Sequence, residues 1–310
     1  MAVFKSSQLE LPDEILDPWL GKVKFGSSIA TLSASEPMKF GTGSWMTFDI
    51  GEAEYVGEGT AKGPSTITTT RKKTKPFKFH KTVRWTEEVK WADEDHQLDA
   101  VNQILALIQP SLSRALDFGV YHGINPTGGV RETDMTEYLA QTTNSVEVDS
   151  LTSPQLYIDA ADELVLADRF NPKDVALDPA FAAAFGKVRA PLATGEPIGP
   201  KMYPDLSYAT APAGRLENHN SSVSDTVGAV GVAEVDTNVL GFDGDFSAIR
   251  WGIQRAIGLE MIEYGDPDGQ GDLKRNNEVA FRAEVVYGWG IADLSAFAKF
   301  VQAVSDEEDD

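Results

Sequence analysis

Two stretches of this 310-residue chain place chemistry-bearing residues at suggestive spacings. DPDGQGDLKRNNE puts Asp266, Asp268 and Gly271 at the first, third and sixth positions of a calcium loop, with Asp272 as a further carboxylate. Its fifth position is Gln270 and its twelfth is Asn277, so the bidentate glutamate is missing and Glu278 comes one place late. The flanks read as strands rather than helices, so the plain reading is an acidic loop, and the sequence names no metal site beyond this weak candidate. A calcium-dependent hydrolase or carbohydrate-binding protein built on Asp266, Asp268 and Asp272 stands as one alternative function. GEGTAKG (57–63) has the glycine content of a phosphate loop but fits neither GxGxxG nor GxxxxGK[ST], and it reads as a hairpin tip.

The four histidines do not share a metal-binding spacing. His80 falls on the polar parity of a strand, His96 near a helix start, His122 in a loop and His219 in LENHNSS. Only His219, with Ser221, Ser222 and Asp225, could be imagined as a hydrolytic triad, and without a GxSxG elbow it reads as a surface loop. Asp159, Asp162 and Glu163 read as solvated helix positions. The absence of cysteine removes thiolate ligands, thiol nucleophiles and disulfides. These residues predict neither catalysis nor a cofactor.

RKKTKPFKFHKTVR (71–84) concentrates seven Lys/Arg in a chain of net charge -21. Forty-eight acids against 27 bases argue against general nucleic-acid binding, which needs net cationic neutralisation of phosphates. The strip therefore needs another partner. With 42% hydrophobic residues the chain has enough apolar material for a large core. It shows neither a signal peptide nor a stretch of membrane-spanning length, so it reads as soluble.

The elements that would position these residues follow from periodicity. Residues 1–45 read as an extended arm with one weak helical turn at Asp13–Leu20. From Trp45 to Trp85 the pattern is that of one long two-stranded ribbon. Its first strand would carry Glu52, Glu54 and Glu58 against the returning cations, with Phe77 and Phe79 on a packing face. A ribbon this polar is not stable alone and needs a neighbour. A long helix is predicted from about Ala92 to Gly119, with an apolar stripe of Leu98, Val101, Leu105, Ile108, Leu112 and Ala115, kinked or broken at Pro110. A second helix starts at Ser153 and Pro154, and a third covers Pro172–Phe185. Residues 189–225 read as irregular. The final third is predicted as strands in VGAVGVAEVDTNVLGF, FSAIRWGIQRAIGLEMIEYG and NEVAFRAEVVYGWGI, then a short helix at Leu294–Val301 and the acidic tail. The class is α+β, without βαβ repetition.

Several segments, in this order, resemble the Hong Kong 97-type major capsid proteins of tailed bacteriophages. YVGEGTAKGPSTITTTRKKTKPFKFHKTVRWTEE is similar to that family's extended loop, and DEDHQLDAVNQILALIQPSLSRALDFGVYHGINPTGG to its spine helix. FNPKDVALDP is similar to a turn and helix of its axial domain, and GFDGDFSAIRWGIQRAIGLEMIEYGD and NNEVAFRAEVVYGWGIADLSAFAKF to its closing strands. The resemblance implies an N-terminal arm at 1–45, an extended β-hairpin loop at 46–88 and a peripheral domain with the spine helix at 89–150. An axial domain at 151–257 and a return to the peripheral domain at 258–310 would follow. It further implies a structural protein whose pentamers and hexamers close an icosahedral head around double-stranded DNA, without sequence-specific binding. Separate scaffolding, portal and decoration proteins would be the other partners. The implied location is the virion, with assembly in the host cytoplasm. The assembly residues would be Glu52, Glu54, Glu58, Lys62, Arg71, Lys72, Lys73, Lys75, Phe77 and Phe79. Some members crosslink their subunits through a lysine near the loop tip. Here Gly59 takes that place, although Lys62 is close by, so a non-crosslinked shell is expected. An encapsulin-like nanocompartment shell shares the fold and is the nearest alternative, disfavoured by the Gly/Ser/Pro-rich start.

Overall fold

The computed structural model describes residues 26–64, 67–87, 94–190, 199–208 and 214–303. The arm's residues 1–25, the tail 304–310 and part of the proline-rich stretch lie outside these. Two sheets and a long helix make the body. NEVAFRAEVVYGWGI becomes β10 (Glu278–Ile291), the middle strand of an antiparallel sheet between β3 (Pro76–Thr86) and β9 (Ile249–Ile262). A six-stranded sheet has the order β4 (Ser145–Val148), β11 (Phe297–Gln302), β8 (Val239–Gly244), β5 (Asp174–Leu177), β7 (His219–Val223), β6 (Gly214–Leu216). It is mixed, since β4 runs parallel to β11 and β5 to β7.

Helix α2 (Glu94–His122) lays Leu116, Val120 and Tyr121 into a core shared by both sheets. That core takes Tyr287 and Trp289 from β10, Trp251 from β9, and Phe242 and Phe297 from the larger sheet. The other face of the larger sheet is covered by α3 (Gln155–Ala167) and α4 (Pro179–Phe185), through Ile158, Ala161, Val165, Phe181 and Phe185. Of the expected α2 stripe, Ile108 and Ala115 are buried and Leu112 is partly buried; the side chains of Leu98, Val101 and Leu105 lie outside the described set. Gly119 faces Trp289 so closely that a Cβ there would stand 2.6 Å from the indole ring. The absence of a side chain is what allows helix and sheet to meet.

Several expected elements differ, each for a local reason. Pro110 sits inside α2 without ending it. The carbonyl its missing N–H would have met belongs to Ala106, an exposed residue where water can serve instead. The helix expected at Pro172–Phe185 is a fully buried strand, β5, followed by α4, capped by the Asp178 carboxylate accepting from the Ala180 amide. A short apolar run does not distinguish buried strand from helix, and the sheet decides. The same holds for Leu294–Val301, which is a single 3-10 turn and then β11, inserted between β4 and β8. VGAVGVAEVDTNVLGF is turns up to β8, and residues 214–223, expected to be irregular, form β6 and β7. Helix α3 begins one residue later than read, with Pro154 at its cap.

The described end of the arm also docks on its own subunit. Helix α1 (Ser28–Leu32) packs Ile29 into the main core, and beside it lies the wholly buried Asp117 of α2. The Asp117 carboxylate accepts from Ser27 Oγ, from the Ser28 amide and hydroxyl at 2.8 and 2.9 Å, from the Ile29 amide at 3.3 Å and from Thr226 Oγ1 at 2.6 Å. Burial holds its pKa above the ordinary carboxylate value against the opposing pull of these donors. The chain then runs beside β9. The Glu36 amide donates to the Trp251 carbonyl, Trp251 Nε1 to Ser33 Oγ, and Gly41 and the Gln254 amide exchange two 3.0 Å bonds.

His122, expected in a loop, closes α2 and is buried, with Nε2 2.7 Å from the Val227 carbonyl. A carbonyl only accepts, so the neutral ring carries its proton on Nε2. Burial, followed by the nearby Arg131 charge, lowers its pKa to about 4 against the backbone bonds that raise it.

Two outcomes follow for the isolated chain. Asp117→Ala strands at least four buried donors and should lower unfolding stability by about 3 kcal/mol or more, measured in urea, with early protease cleavage before residue 42. His122 gives a pH signature. Its stabilising contribution is complete above the unfolded pKa of 6.5 and is lost as pH falls toward about 4. The stability advantage of the native chain over His122→Gln should therefore shrink by about 3 kcal/mol between pH 7.5 and 4 in denaturant titrations.

Candidate functional site

The cationic strip is divided between two elements. Strands β1 (Gly43–Ile50) and β2 (Ile67–Thr74) form a separate hairpin, and β3 leaves it after Lys75 to join the body sheet. The division follows the aromatic residues. Phe77 stacks on Trp289 at 4.1 Å between ring centroids, and Phe79 lies 6.1 Å from Tyr287, so both phenylalanines pack inside their own subunit. The single ribbon read over Trp45–Trp85 is thus a hairpin ending near residue 74, followed by a body strand.

The cross-strand partners also differ from expectation. Arg71 pairs with Met46, Lys72 with Trp45 and Lys73 with Ser44. Glu52, Glu54 and Glu58 lie beyond β1, exposed in the connecting loop, and do not face the cations across the ribbon. The loop tip is a turn closed by the Thr60 amide donating to the Gly57 carbonyl at 3.1 Å, with Gly59 at φ +80°. That dihedral suits glycine at the third turn position and strains any other residue, an independent reason for glycine at the tip. Lys62 is exposed beside it.

Direct pairing puts the two strands' side chains on two faces. The inner face carries Trp45 and Lys72. Trp45 lies over Gly290 of β10, where a Cβ would come within 2.4 Å of the indole. Lys72 reaches Glu137 at 3.2 Å, and just after β2 Lys75 reaches Asp134 at 3.6 Å, so the hairpin root is held to its own body. The outer face carries Met46, Phe48 and Ile67, which are 58%, 64% and 59% exposed, beside exposed Arg71 and Lys73. Tyr55 in the loop is 91% exposed. Among the described residues neither Lys73 nor Lys62, Glu52, Glu54 or Glu58 has an ion-pair partner. The outer face thus sets an exposed apolar strip beside two cations on a chain of net charge -21.

The acidic loop is already occupied by the protein's own cation. Arg84 on β3, its side chain 4% exposed, donates to Asp266 at 2.9 Å, to Asp268, to Glu278 at 3.0 Å and to the Gly271 carbonyl at 2.9 Å. The hydrogen bond to Asp268 is the largest influence holding its pKa above the usual arginine value. Asp272 instead caps α5 (Leu273–Asn276), accepting from the Arg275 amide. Two of the three carboxylates read as calcium ligands therefore converge on a guanidinium, and the third is used in the backbone. The imagined triad is not assembled either. Asp225 pairs with Arg114, while His219 lies on β7, 2% exposed, against Asp162 and Asp243. The expected surface loop and solvated Asp162 are both corrected by this buried contact.

Sequence reading missed Asp117, the outer-face Met46 and Phe48, and the role of Arg84. The period-two alternation of SWMTF was the available signal for two faces, but which face met the body depended on Gly290, more than 240 residues away in sequence.

The Phage capsid family matches residues 11–301. A solved structure from Mycobacterium phage Ogopogo is 39% identical, with 97% of this chain and 100% of that one covered and a TM-score of 0.78. One from Gordonia phage Cozz is 27% identical over 97% and 94%, with a TM-score of 0.73. A structure described as the capsid of a native GTA particle computed with C5 symmetry shares the fold at 13% identity, with a TM-score of 0.60 over 96% and 98%. No curated protein matches the chain.

Arg84→Ala should leave three carboxylates without their cation and lower subunit stability by about 3 kcal/mol. Millimolar calcium should leave the native chain's melting temperature unchanged, because Arg84 fills the loop; a calorimetric calcium isotherm at Asp266–Asp272 would contradict this assignment.

Proposed function

The chain belongs to the phage capsid family, and we propose that the outer face of its β1–β2 hairpin is the surface by which one copy holds the next. It is a phage major capsid protein, a structural, non-enzymatic component of the icosahedral head, and copies of it oligomerise into the shell.

The observation that carries the hairpin assignment is its two-sidedness. The inner face is tied down by Trp45 and Lys72, with Lys75 holding the root just past β2, while Met46, Phe48, Ile67, Arg71 and Lys73 lie on the exposed face. A neighbouring copy supplies the complement, since an acidic chain presents negative surface to any cation projecting from its twin. Burying the three apolar side chains would contribute on the order of 1–2 kcal/mol each before the costs of association. Exposed Glu52, Glu54, Glu58 and Lys62 at the loop end form the polar part of the same contact.

The subunit reads as four functional parts. The arm at 1–45 begins outside the described residues and returns to the body at Asp117. The hairpin is the extended loop. Helix α2 and the sheet β3-β10-β9 make the peripheral part, and the six-stranded sheet with α3 and α4 makes the axial part, drawing β4 and β11 from either side of it in sequence. Copies arranged in pentamers and hexamers enclose double-stranded DNA, which the chain's net charge keeps from binding its surface tightly or sequence-specifically. Scaffolding, portal and decoration proteins complete the partners. Gly59 at the tip, where the family resemblance would put a crosslinking lysine, supports a shell without covalent crosslinks.

Arg71→Glu with Lys73→Glu, or Met46→Ser with Phe48→Ser, should leave the melting temperature of the unassembled chain within about 2 °C of native, since all four side chains are exposed. Closed particles seen by negative-stain microscopy and sedimentation should fall at least tenfold. Normal particle yield from both variants, or loss of subunit folding, would overturn the assignment.

A further inference from the structure

On the face of the six-stranded sheet that packs against α3 lies a polar group that the main core and the hairpin do not use. His219 and Ser221 are two apart on β7 and so share a face. Asp243 on β8 shares it too, because both it and Ser221 pair directly with Val175 of β5, whose side chain packs beneath α3. Helix α3 adds Asp162 from above. His219 Nε2 stands 3.0 Å from Asp162 Oδ1 and 3.4 Å from Asp243 Oδ1, and the ligand atoms of all three residues lie within 4.8 Å of one another. Asp243 is wholly buried, and neither of its oxygens meets a donor at full hydrogen-bond geometry; the Ser221 hydroxyl is likewise buried and unpartnered.

This arrangement is costly as it stands. A buried carboxylate is ordinarily satisfied by several donors, as Asp117 is. Asp243 instead has one imidazole edge and a second carboxylate close by. With both carboxyls ionised around a neutral imidazole, the cluster would carry two negative charges, which a divalent cation balances.

We propose that Asp162, His219 and Asp243 bind a divalent transition-metal ion of the zinc or manganese class, bracing α3 to strands β7 and β8. Zinc bonds of about 2.0–2.1 Å set tetrahedral ligands about 3.3 Å apart, and the 3.0 and 3.4 Å separations already approach that edge. One nitrogen with two carboxylate oxygens suits such ions, whereas calcium takes six to eight oxygens. A fourth position is left for water or the Ser221 hydroxyl. Asp162, whose side chain is 28% exposed, lies on the open side, by which an ion would enter. On binding, His219 Nε2 gives up its proton and offers its lone pair, with the neutral ring protonated at Nδ1. The site is independent of the hairpin's role and leaves assembly competence a separate question.

Chelator-treated full-length chain titrated with zinc chloride, and separately with manganese chloride, should take up one ion per chain in calorimetry. Its melting temperature should rise by about 5 °C at a hundredfold excess over the dissociation constant. Cobalt(II) in place of zinc should develop visible ligand-field bands. Asp162→Ala, at the partly exposed position, should fold normally and bind at least tenfold more weakly, and His219→Ala should abolish the cobalt bands. No uptake by the native chain, uptake unchanged in Asp162→Ala, or stability that responds to pH but not to metal would each overturn the proposal; the last would leave a shared proton as what neutralises the pair.

Discussion

Much of the fold hangs on one buried carboxylate. Asp117 lies where α2 passes between the two sheets, and its bonds to Ser27, Ser28, Ile29 and Thr226 fasten an N-terminal segment and a turn before β8 to the same helical position. Hydrogen bonds to an ionised group contribute more than neutral ones, and a buried carboxylate is tolerated only when its lone pairs are met. The segment beginning at Ser27 therefore has one place to go, and once seated it continues along β9 through Ser33, Glu36 and Gly41 to deliver the chain to the hairpin root.

From there the division of labour in the cationic strip becomes intelligible. Seven bases in fourteen positions look like a single feature, but they are spent differently, Lys78 for one pairing with Glu284 of β10 at 2.7 Å. Lys72 and Lys75 hold the hairpin to its own body, Arg84 neutralises an acidic loop from within, and Arg71 and Lys73 are left outward. Arg84 suits its task because a guanidinium presents several donors in a plane and can satisfy three carboxylates and a carbonyl at once. A capsid subunit needs such internal neutralisation, since at a net charge of -21 any acidic cluster left unmatched adds to repulsion between copies.

The parts most legible in the sequence were those governed by local rules over long spans. The helix over 94–122 and the strands over 249–262 and 278–291 follow from repeated apolar spacing, and the order of elements was enough to indicate the capsid family. The failures were short. DVAL and FAKFVQ are buried strands that periodicity alone could not tell from helix, and both sit in the interior of the six-stranded sheet, where neighbours on each side supply the hydrogen bonds that decide the matter. Phe77 and Phe79 were assigned to a ribbon because they alternate correctly; Trp289 and Tyr287 draw them into the body.

By itself, then, the sequence determined composition, charge and the long elements, because these depend on residue types and on spacings within one segment, while the family came from the resemblance of several segments taken in order. Tertiary structure decided which charges meet. Arg84 is 182 positions from Asp266, Asp117 is 90 from Ser27, and Asp243 reaches His219 only across an intervening strand. A side chain's partner across a sheet or beneath a helix is set by register and packing of whole elements, so the chemistry of a buried cluster exists only once the sheet has closed.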